Sequence, residues 1–366
     1  MVRKKKTFYL KTFGCQANVA DSQRIAQAFV NNGYQPTKDV QSATVVIINS
    51  CLVRQSAENR IWGLINNLKK LKPNRKIILT GCLAGCIGQK RLSQQAKNLF
   101  QKRVGKGVEI IPTKELASFA IPPLRTKNDF ALIPISQGCN HFCSYCIVPY
   151  ARGLEKSRPF EEIIKEAQEA VNQGFKKILL IGQNVNSYGK DLKTSNIKHQ
   201  TANIHTPFAL LLAILHKIPD IEKISFLTSN PWDLTDDIVE AMSLPKIDRY
   251  LHLPVQSGDD GILRKMNRPY TAKQYLNLVK KIRQRIPEIK IGTDIIVGFP
   301  GESKRAFENT VKLCRQVGFE KAYIAKYSPR PGTAAFRLKD DISPEEKKRR
   351  WKILEELINK KNGAYT

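Results

Sequence analysis

Three cysteines in the stretch Gln-Gly-Cys-Asn-His-Phe-Cys-Ser-Tyr-Cys-Ile-Val-Pro-Tyr, at Cys139, Cys143 and Cys146, carry the most specific chemistry in this chain of 366 residues. The C-x3-C-x2-C spacing draws three thiolates from one short loop, enough for three corners of a 4Fe-4S cube whose fourth iron has no protein ligand. An iron open in this way can bind a small molecule. Structural zinc fits less well, because it takes four ligands, usually as two separated C-x2-C pairs. No fourth cysteine or histidine stands at such a spacing, and His141 lies inside the loop. Disulfides need an oxidising compartment, whereas Met1 to Lys6 lead into a polar segment without an apolar leader, so reduced thiols in the cytoplasm are expected.

The loop is similar to that of the radical-SAM enzymes. The resemblance implies S-adenosyl-L-methionine (SAM) on the open iron, held through its amine and carboxylate and cleaved by an electron from the cluster to give a 5'-deoxyadenosyl radical.

A second set of thiols is placed by secondary structure. Strands are expected over Thr7 to Phe13, Thr44 to Asn49, Lys76 to Thr80 and Val108 to Ile111. Helices are expected from a cap at Asp21 and Ser22 through Phe29, along the face Ile61, Leu64, Ile65 and Leu68, and from about Gln89 to Gln101. That alternation makes a small doubly wound α/β domain over residues 1–121. Cys15, Cys51 and Cys82 follow its first three strands, so in a parallel sheet all three fall at the carboxyl edge, where such sheets bind ligands. They are read as the ligands of a second 4Fe-4S cluster, again with one iron free of protein. Cys86 is a possible substitute for Cys82 or a spare thiol, and Cys314 is expected in the core.

Pro122, Pro123 and the polar Arg125 to Asp129 read as a linker into a domain of residues 128–340. Six strand-helix units are expected there, with strands at Leu132 to Ile135, Ile178 to Ile181, Lys223 to Leu227, Tyr250 to Pro254, Ile291 to Val297 and Lys321 to Lys326. They form a partial (β/α)6 TIM-type barrel, with a helix of residues 341–366 behind it. Turn and polar residues follow every strand, on the rim where barrel enzymes place their sites. Gly182, Gln183, Asn184, Ser229 and Gln256 are the expected SAM contacts, with Tyr145 shielding the cluster, lying against adenine or simply packing.

Formal charge is +29, from 61 basic and 32 acidic side chains, which points to a polyanionic partner, RNA or DNA. From Asn59 to Val108 there is no acidic residue, yet twelve basic ones occur: Arg60, Lys69, Lys70, Lys72, Arg75, Lys76, Lys90, Arg91, Lys97, Lys102, Arg103 and Lys106. No apolar run reaches the roughly 18 residues of a membrane span.

Over nearly its whole length the chain resembles the radical-SAM methylthiotransferases. The resemblance rests on Thr12-Phe13-Gly14-Cys15-Gln16 with Asn18 and Asp21-Ser22, on Asn49-Ser50-Cys51 with Arg54 and Ala57-Glu58, on Gly81-Cys82, and on Gln137-Gly138-Cys139 through Tyr150 with Arg152-Gly153. Gln16, the run Gly182 to Gly189, Tyr327-Ser328 and Arg330-Pro331-Gly332-Thr333 look like the tRNA-modifying branch. Ala17 and Asn230 depart from it, standing where methionine and histidine are usual. The resemblance implies two 4Fe-4S clusters and SAM, with conversion of C-H to C-SCH3 at C2 of the N6-isopentenyladenosine just 3' of the anticodon. It implies as partners a tRNA anticodon stem-loop, an electron donor and a sulfur or cluster-assembly source, with no membrane. Relatives usually continue into a β-barrel RNA-binding domain, TRAM. Here a charged helix from about Pro344 to Lys360 is followed by Thr366, and either a short form relies on its basic amino-terminal domain for RNA or the sequence is a fragment; weaker tRNA affinity is expected in both cases. The alternatives are methylthiolation of N6-threonylcarbamoyladenosine or of a ribosomal-protein aspartate, and, in another class, a non-catalytic iron-sulfur RNA-binding protein.

Overall fold

The computed structural model describes residues 6–52, 55–71, 75–88, 91–125, 129–192 and 204–360. Met1 to Lys5, Arg54, Lys72, Gln89, Lys90, residues 126–128 of the linker and residues 361–366, which figure in the expectations above, lie outside them. The chain divides into two compact units: residues 1–128 with 138–140 and 146–154, and residues 129–137 with 141–145 and 155–366.

The first unit is a five-stranded parallel sheet flanked by helices. Its elements are β1 (Thr7–Thr12), α1 (Gln16–Asn31), β2 (Gln35–Pro36), β3 (Val45–Ser50), α2 (Gln55–Leu71), β4 (Lys76–Gly81), α3 (Cys82–Gly88), α4 (Gln94–Val104), β5 (Glu109–Ile110), α5 (Thr113–Leu116) and α6 (Val148–Arg152). Strand order is β2-β1-β3-β4-β5, so the chain reverses its direction of travel across the sheet between β1 and β3. The central β3, Val-Val-Ile-Ile-Asn-Ser, is buried at every position, as a parallel strand covered on both faces must be. Ile61, Ile65 and Leu68 form the expected inward face of α2, and burying each contributes about 1.5–3 kcal/mol.

One local expectation is corrected. Asp21 and Ser22 do not cap a helix: α1 begins at Gln16 with Cys15 at the N-cap and no side-chain capping bond. Both polar side chains are taken instead by tertiary partners, Ser22 Oγ by Thr12 Oγ1 at 2.7 Å and Asp21 by Arg152 at 2.9 Å.

The second unit carries β6 (Ala131–Pro134), β7 (Ser136–Gln137), β8 (Lys156–Ser157), α7 (Phe160–Asn172), β9 (Lys177–Ile181), α8 (Pro207–His216), β10 (Lys223–Leu227), α9 (Asp236–Met242), β11 (Tyr250–His252), α10 (Asp260–Lys265), α11 (Ala272–Arg285), β12 (Lys290–Val297), α12 (Lys304–Val317), β13 (Lys321–Lys326) and α13 (Pro344–Leu354). Two parallel three-stranded sheets, β10-β9-β6 and β11-β12-β13, meet at a parallel bridge between Ile224 and Ile247. All six expected strands are present, in barrel order. Ile133, Ile178, Leu180, Ile224, Phe226 and Ile291 point outward into the helical layer, where Phe208 meets Phe226 edge-on at 5.3 Å. Ser and Thr caps start the helices that frame the rim, Thr271 on Gln274 as a reciprocal capping box and Ser303 on Ala306.

Candidate cluster and cofactor sites

In the first unit the three separated cysteines meet. Cys15 is the exposed N-cap of α1, Cys51 follows β3 and is buried, and Cys82 is the buried first residue of α3. Cys15 and Cys51 thus stand at the carboxyl ends of the two strands that flank the reversal in strand order, the crevice where doubly wound sheets take ligands.

Glycine permits the approach. Gly14 has φ +116°, and a Cβ there would lie 2.7 Å from Cys51 Cβ; Gly81 has φ +84°, and a Cβ would lie 2.3 Å from Ser50 O. L-residues rarely adopt either backbone, and neither space admits a side chain.

Asn18 organises the floor. Its Nδ2 donates to the carbonyls of Phe13 at 2.7 Å and Ser50 at 2.9 Å, which ties the ends of β1 and β3 together. Its Oδ1 lies 4.0 Å from the Cys15 sulfur and 3.9 Å from the Cys82 sulfur. Beneath it, Asn49 Nδ2 donates to Asn18 O and Ser22 Oγ, and Ser50 Oγ donates to Thr80 O while accepting from Leu83 N. Every member of this floor is buried.

Burial pushes the Cys82 thiol up to about 11; the Arg152 guanidinium opposes the rise, and Cys51 and Cys15 add to it. The four groups therefore share one electrostatic neighbourhood. Cys86, one turn along α3, is fully buried, and burial holds its thiol well above the ordinary range. Among the described residues no three His, Cys, Asp or Glu side chains are gathered in a way that would hold a single metal ion.

The C-x3-C-x2-C loop contributes to both units. Cys139 and Cys146 belong to the first, where Cys139 N bonds Gly153 O at 3.1 Å. Cys143 belongs to the second, where the loop is pinned by backbone bonds from Ser144 N to Met266 O and from Ala335 N to Ser144 O, and by Ser144 Oγ to Lys265 O at 2.7 Å. Arg268 Nη1 lies 3.6 Å from the Cys143 sulfur, with its guanidinium 4.5 Å from the Trp232 ring centre. Tyr145 is half-buried against Ile262, Met266, Phe299 and Tyr327.

The remaining expected contacts all sit at strand ends of the second unit, but they differ in availability. Gly182 follows β9 where a Cβ would stand 2.8 Å from Ser136 Oγ, and Gln183 beside it is half-buried. Asn184 is committed within the protein: its Nδ2 donates to Asp233 at 2.7 Å, and its Oδ1 accepts from Asn230 N at 3.2 Å. Asp233 also holds His141 Nε2 at 3.0 Å and Lys190 Nζ at 2.6 Å. Burial alone would raise that carboxyl, but His141 and Lys190 hold it well below the usual carboxylate range.

Ser229 and Gln256 behave differently. Ser229 Oγ, Gln256 Oε1 and Ser136 Oγ are buried without a hydrogen-bond partner among the described residues. Buried polar atoms are nearly always satisfied, so orphans on the ligand-binding rim mark where a polar ligand fits. Thr228 and Gln256 carry φ of +73° and +65°, a strained backbone of the kind that collects at ligand sites.

Residues 133–314 match the Radical SAM superfamily and residues 7–101 match Uncharacterized protein family UPF0004. The chain is 41% identical to the tRNA-2-methylthio-N(6)-dimethylallyladenosine synthase of Carboxydothermus hydrogenoformans, over 98% of this chain and 84% of that protein. It is 40% identical to the synthase of the same name from Caldicellulosiruptor saccharolyticus, over 98% and 80%. It belongs to the radical-SAM methylthiotransferase family. Solved structures agree at the level of fold: the radical S-adenosylmethionine methyltransferase TsrM from Kitasatospora setae superposes with a TM-score of 0.59 at 12% identity, covering 90% of this chain and 75% of that one. The cobalamin-dependent S-adenosylmethionine radical enzyme OxsB gives 0.53 at 11% identity, covering 98% and 56%. The cofactors of a radical-SAM methylthiotransferase are SAM and 4Fe-4S clusters, and the donor chemistry here suits them, with six thiols in two sets of three and unsatisfied hydroxyl and amide oxygens on the rim.

Residue spacing alone missed the partners that organise these sites. Asn18, Asp21 and Arg152 stand in the cysteine motifs with no role readable from spacing, and Arg268 and Asp233 carry no signal, because each acts through contacts with residues distant in sequence; Ser136 is singled out only by its burial.

Proposed function

We propose that this chain is a tRNA methylthiotransferase that converts N6-isopentenyladenosine, just 3' of the anticodon, to its 2-methylthio form. The near-full-length similarity to synthases of that name carries the reading. The meeting of Cys15, Cys51 and Cys82 about Asn18 supports it, since adding sulfur requires more than a radical source.

When bound, the cofactors supply a radical able to take hydrogen from an aromatic carbon, a sulfur atom and a methyl group. Cys139, Cys143 and Cys146 would hold one cluster, and Cys15, Cys51 and Cys82 the other. Ser229 and Gln256, with Ser136, would meet the polar groups of SAM; Gly182 keeps room beside Ser136, and Gln183 lies at the same strand end. Asn184 shapes that rim through Asp233 and His141, and Tyr145 packs against Met266, Phe299 and their neighbours. The target base must leave its stack, which a single-stranded anticodon loop allows at low cost.

We assign residues 1–121 to the methylthiotransferase domain, 128–340 to the radical-SAM domain and 341–366 to a C-terminal segment. An electron donor and a sulfur or cluster-assembly source complete the partners, and the cytoplasm is the proposed location; no described helix is long and apolar enough to cross a membrane.

The test is mass spectrometry of tRNA nucleosides from cells that make N6-isopentenyladenosine but lack the methylthio form, with this chain expressed. Appearance of 2-methylthio-N6-isopentenyladenosine is expected. Its absence, with SAM still cleaved by the purified protein, would move the substrate elsewhere.

A further inference from the structure

Arg152 ends α6, six positions beyond Cys146. Its side chain is 7% exposed, and its Nη2 donates to Asn18 Oδ1 at 2.6 Å and Asp21 Oδ2 at 2.9 Å. The Asn18 Oδ1 that accepts from it lies 3.9 Å from the Cys82 sulfur and 4.0 Å from the Cys15 sulfur, while the Arg152 Nε is buried without a partner among the described residues. The helix that delivers it cannot drift, because α6 lies against α3 so closely that a Cβ on Gly85 would stand 2.0 Å from Ala151 O.

A cation buried this deeply is costly unless it is paired. Asp21 supplies one negative charge. Iron binds thiolates, not thiols, so loading the three cysteines gathers further negative charge around Asn18, and Arg152 is the buried cation already bonded to that side chain.

We propose that Arg152 is a positioning residue for the cluster held by Cys15, Cys51 and Cys82: it touches no iron, but its charge governs how firmly that cluster is retained and at what potential it is reduced. This rests on the ligand assignment proposed above. Positive charge beside a cluster favours the reduced, more negative state, so removing it lowers the reduction potential, whereas removing the neighbouring carboxylate raises it.

The experiment uses the full chain with Cys139→Ala, Cys143→Ala and Cys146→Ala, which leaves only the second thiol set. It is reconstituted anaerobically with iron and sulfide. Iron per chain, the rate of iron loss to a chelator and the midpoint potential are then measured for that parent and for added Arg152→Met, Arg152→Lys and Asp21→Asn. The parent is expected to hold about four irons. Arg152→Met should lose iron ~10–100-fold faster, as loss of outer partners of a metal site typically does, and titrate at a more negative potential. Arg152→Lys should recover most of both, and Asp21→Asn should shift the potential the other way. A purely structural tie would move Arg152→Met and Asp21→Asn in the same direction, or move neither, and either result overturns the proposal. If Arg152→Met fails to fold, the sign for Asp21→Asn decides alone. A parent that binds no iron refutes the ligand assignment instead, a separate outcome.

Discussion

Asp233 shows how much one side chain in the second unit must hold. It bonds Asn184, His141 and Lys190 at once, and its carboxyl, which burial alone would raise, is kept well below its ordinary value by His141 and Lys190. A depressed pKa contributes stability that is present above the unfolded value and lost as pH falls through the folded one. Asp233→Asn should therefore destabilise the protein by about 1–3 kcal/mol at neutral pH. In denaturant titrations the gap from wild type should stay constant down to about pH 4 and close below it; a gap that widens in acid would contradict this account. Nothing in the sequence around Asp233 announces the role, because its three partners come from two other segments, the cysteine loop and the connection after β9. Cys139, Cys143 and Cys146 stand out at this scale for the opposite reason: three thiols closely spaced in one loop are visible along the chain itself.

At the scale of elements, the carboxyl edge of the first sheet depends on backbone that only glycine can supply. Gly81→Ala would place a Cβ 2.3 Å from Ser50 O at φ +84°, a conformation costly for any L side chain. It should lower stability by ~1 kcal/mol or more, and anaerobic iron counting should show preferential loss of the cluster assigned to Cys15, Cys51 and Cys82. Gly85→Ala tests the α3–α6 contact in the same way: backbone must move to admit the methyl group, at ~1–3 kcal/mol, read as a drop in Tm. If either variant matched wild type in both stability and iron, the packing argument would be wrong at that position. The strands were readable because a buried parallel strand is a short apolar run, as β3 is, and the helical faces because their period is fixed. The start of α1 was misread. Asp21-Ser22 has the composition of a cap, but tertiary bonds to Arg152 and Thr12 claim those side chains, and the helix begins at Cys15, where the thiol is presented.

Across the whole molecule the dominant property is charge, +29 with an acid-free run from Asn59 to Val108. Part of that run is internally occupied: Arg75 is buried on Gln41 O, Lys76 pairs with Glu109 and Arg103 with Glu58. Lys97, Lys102 and Lys106 are the test of the rest. Binding of prenylated tRNA should weaken steeply with salt, by about three orders of magnitude between ~50 and ~200 mM if roughly six phosphates are engaged. Neutralising those three lysines together should flatten the slope, and an unchanged slope would place the phosphates elsewhere. The sequence by itself determined the two layered α/β architectures and the order of the barrel strands, because these follow from period and residue type along one chain, and its motifs carried the resemblance to the family. Only the tertiary structure decided which side chains surround the thiols, that Asn184 is spent on Asp233 while Ser229 and Gln256 keep unsatisfied oxygens, and that the cysteine loop is shared between two compact units. Those are facts about which distant residues come to lie within a few ångströms of each other, and hydrogen-bond satisfaction and buried charge are settled at that range, not by distance along the chain.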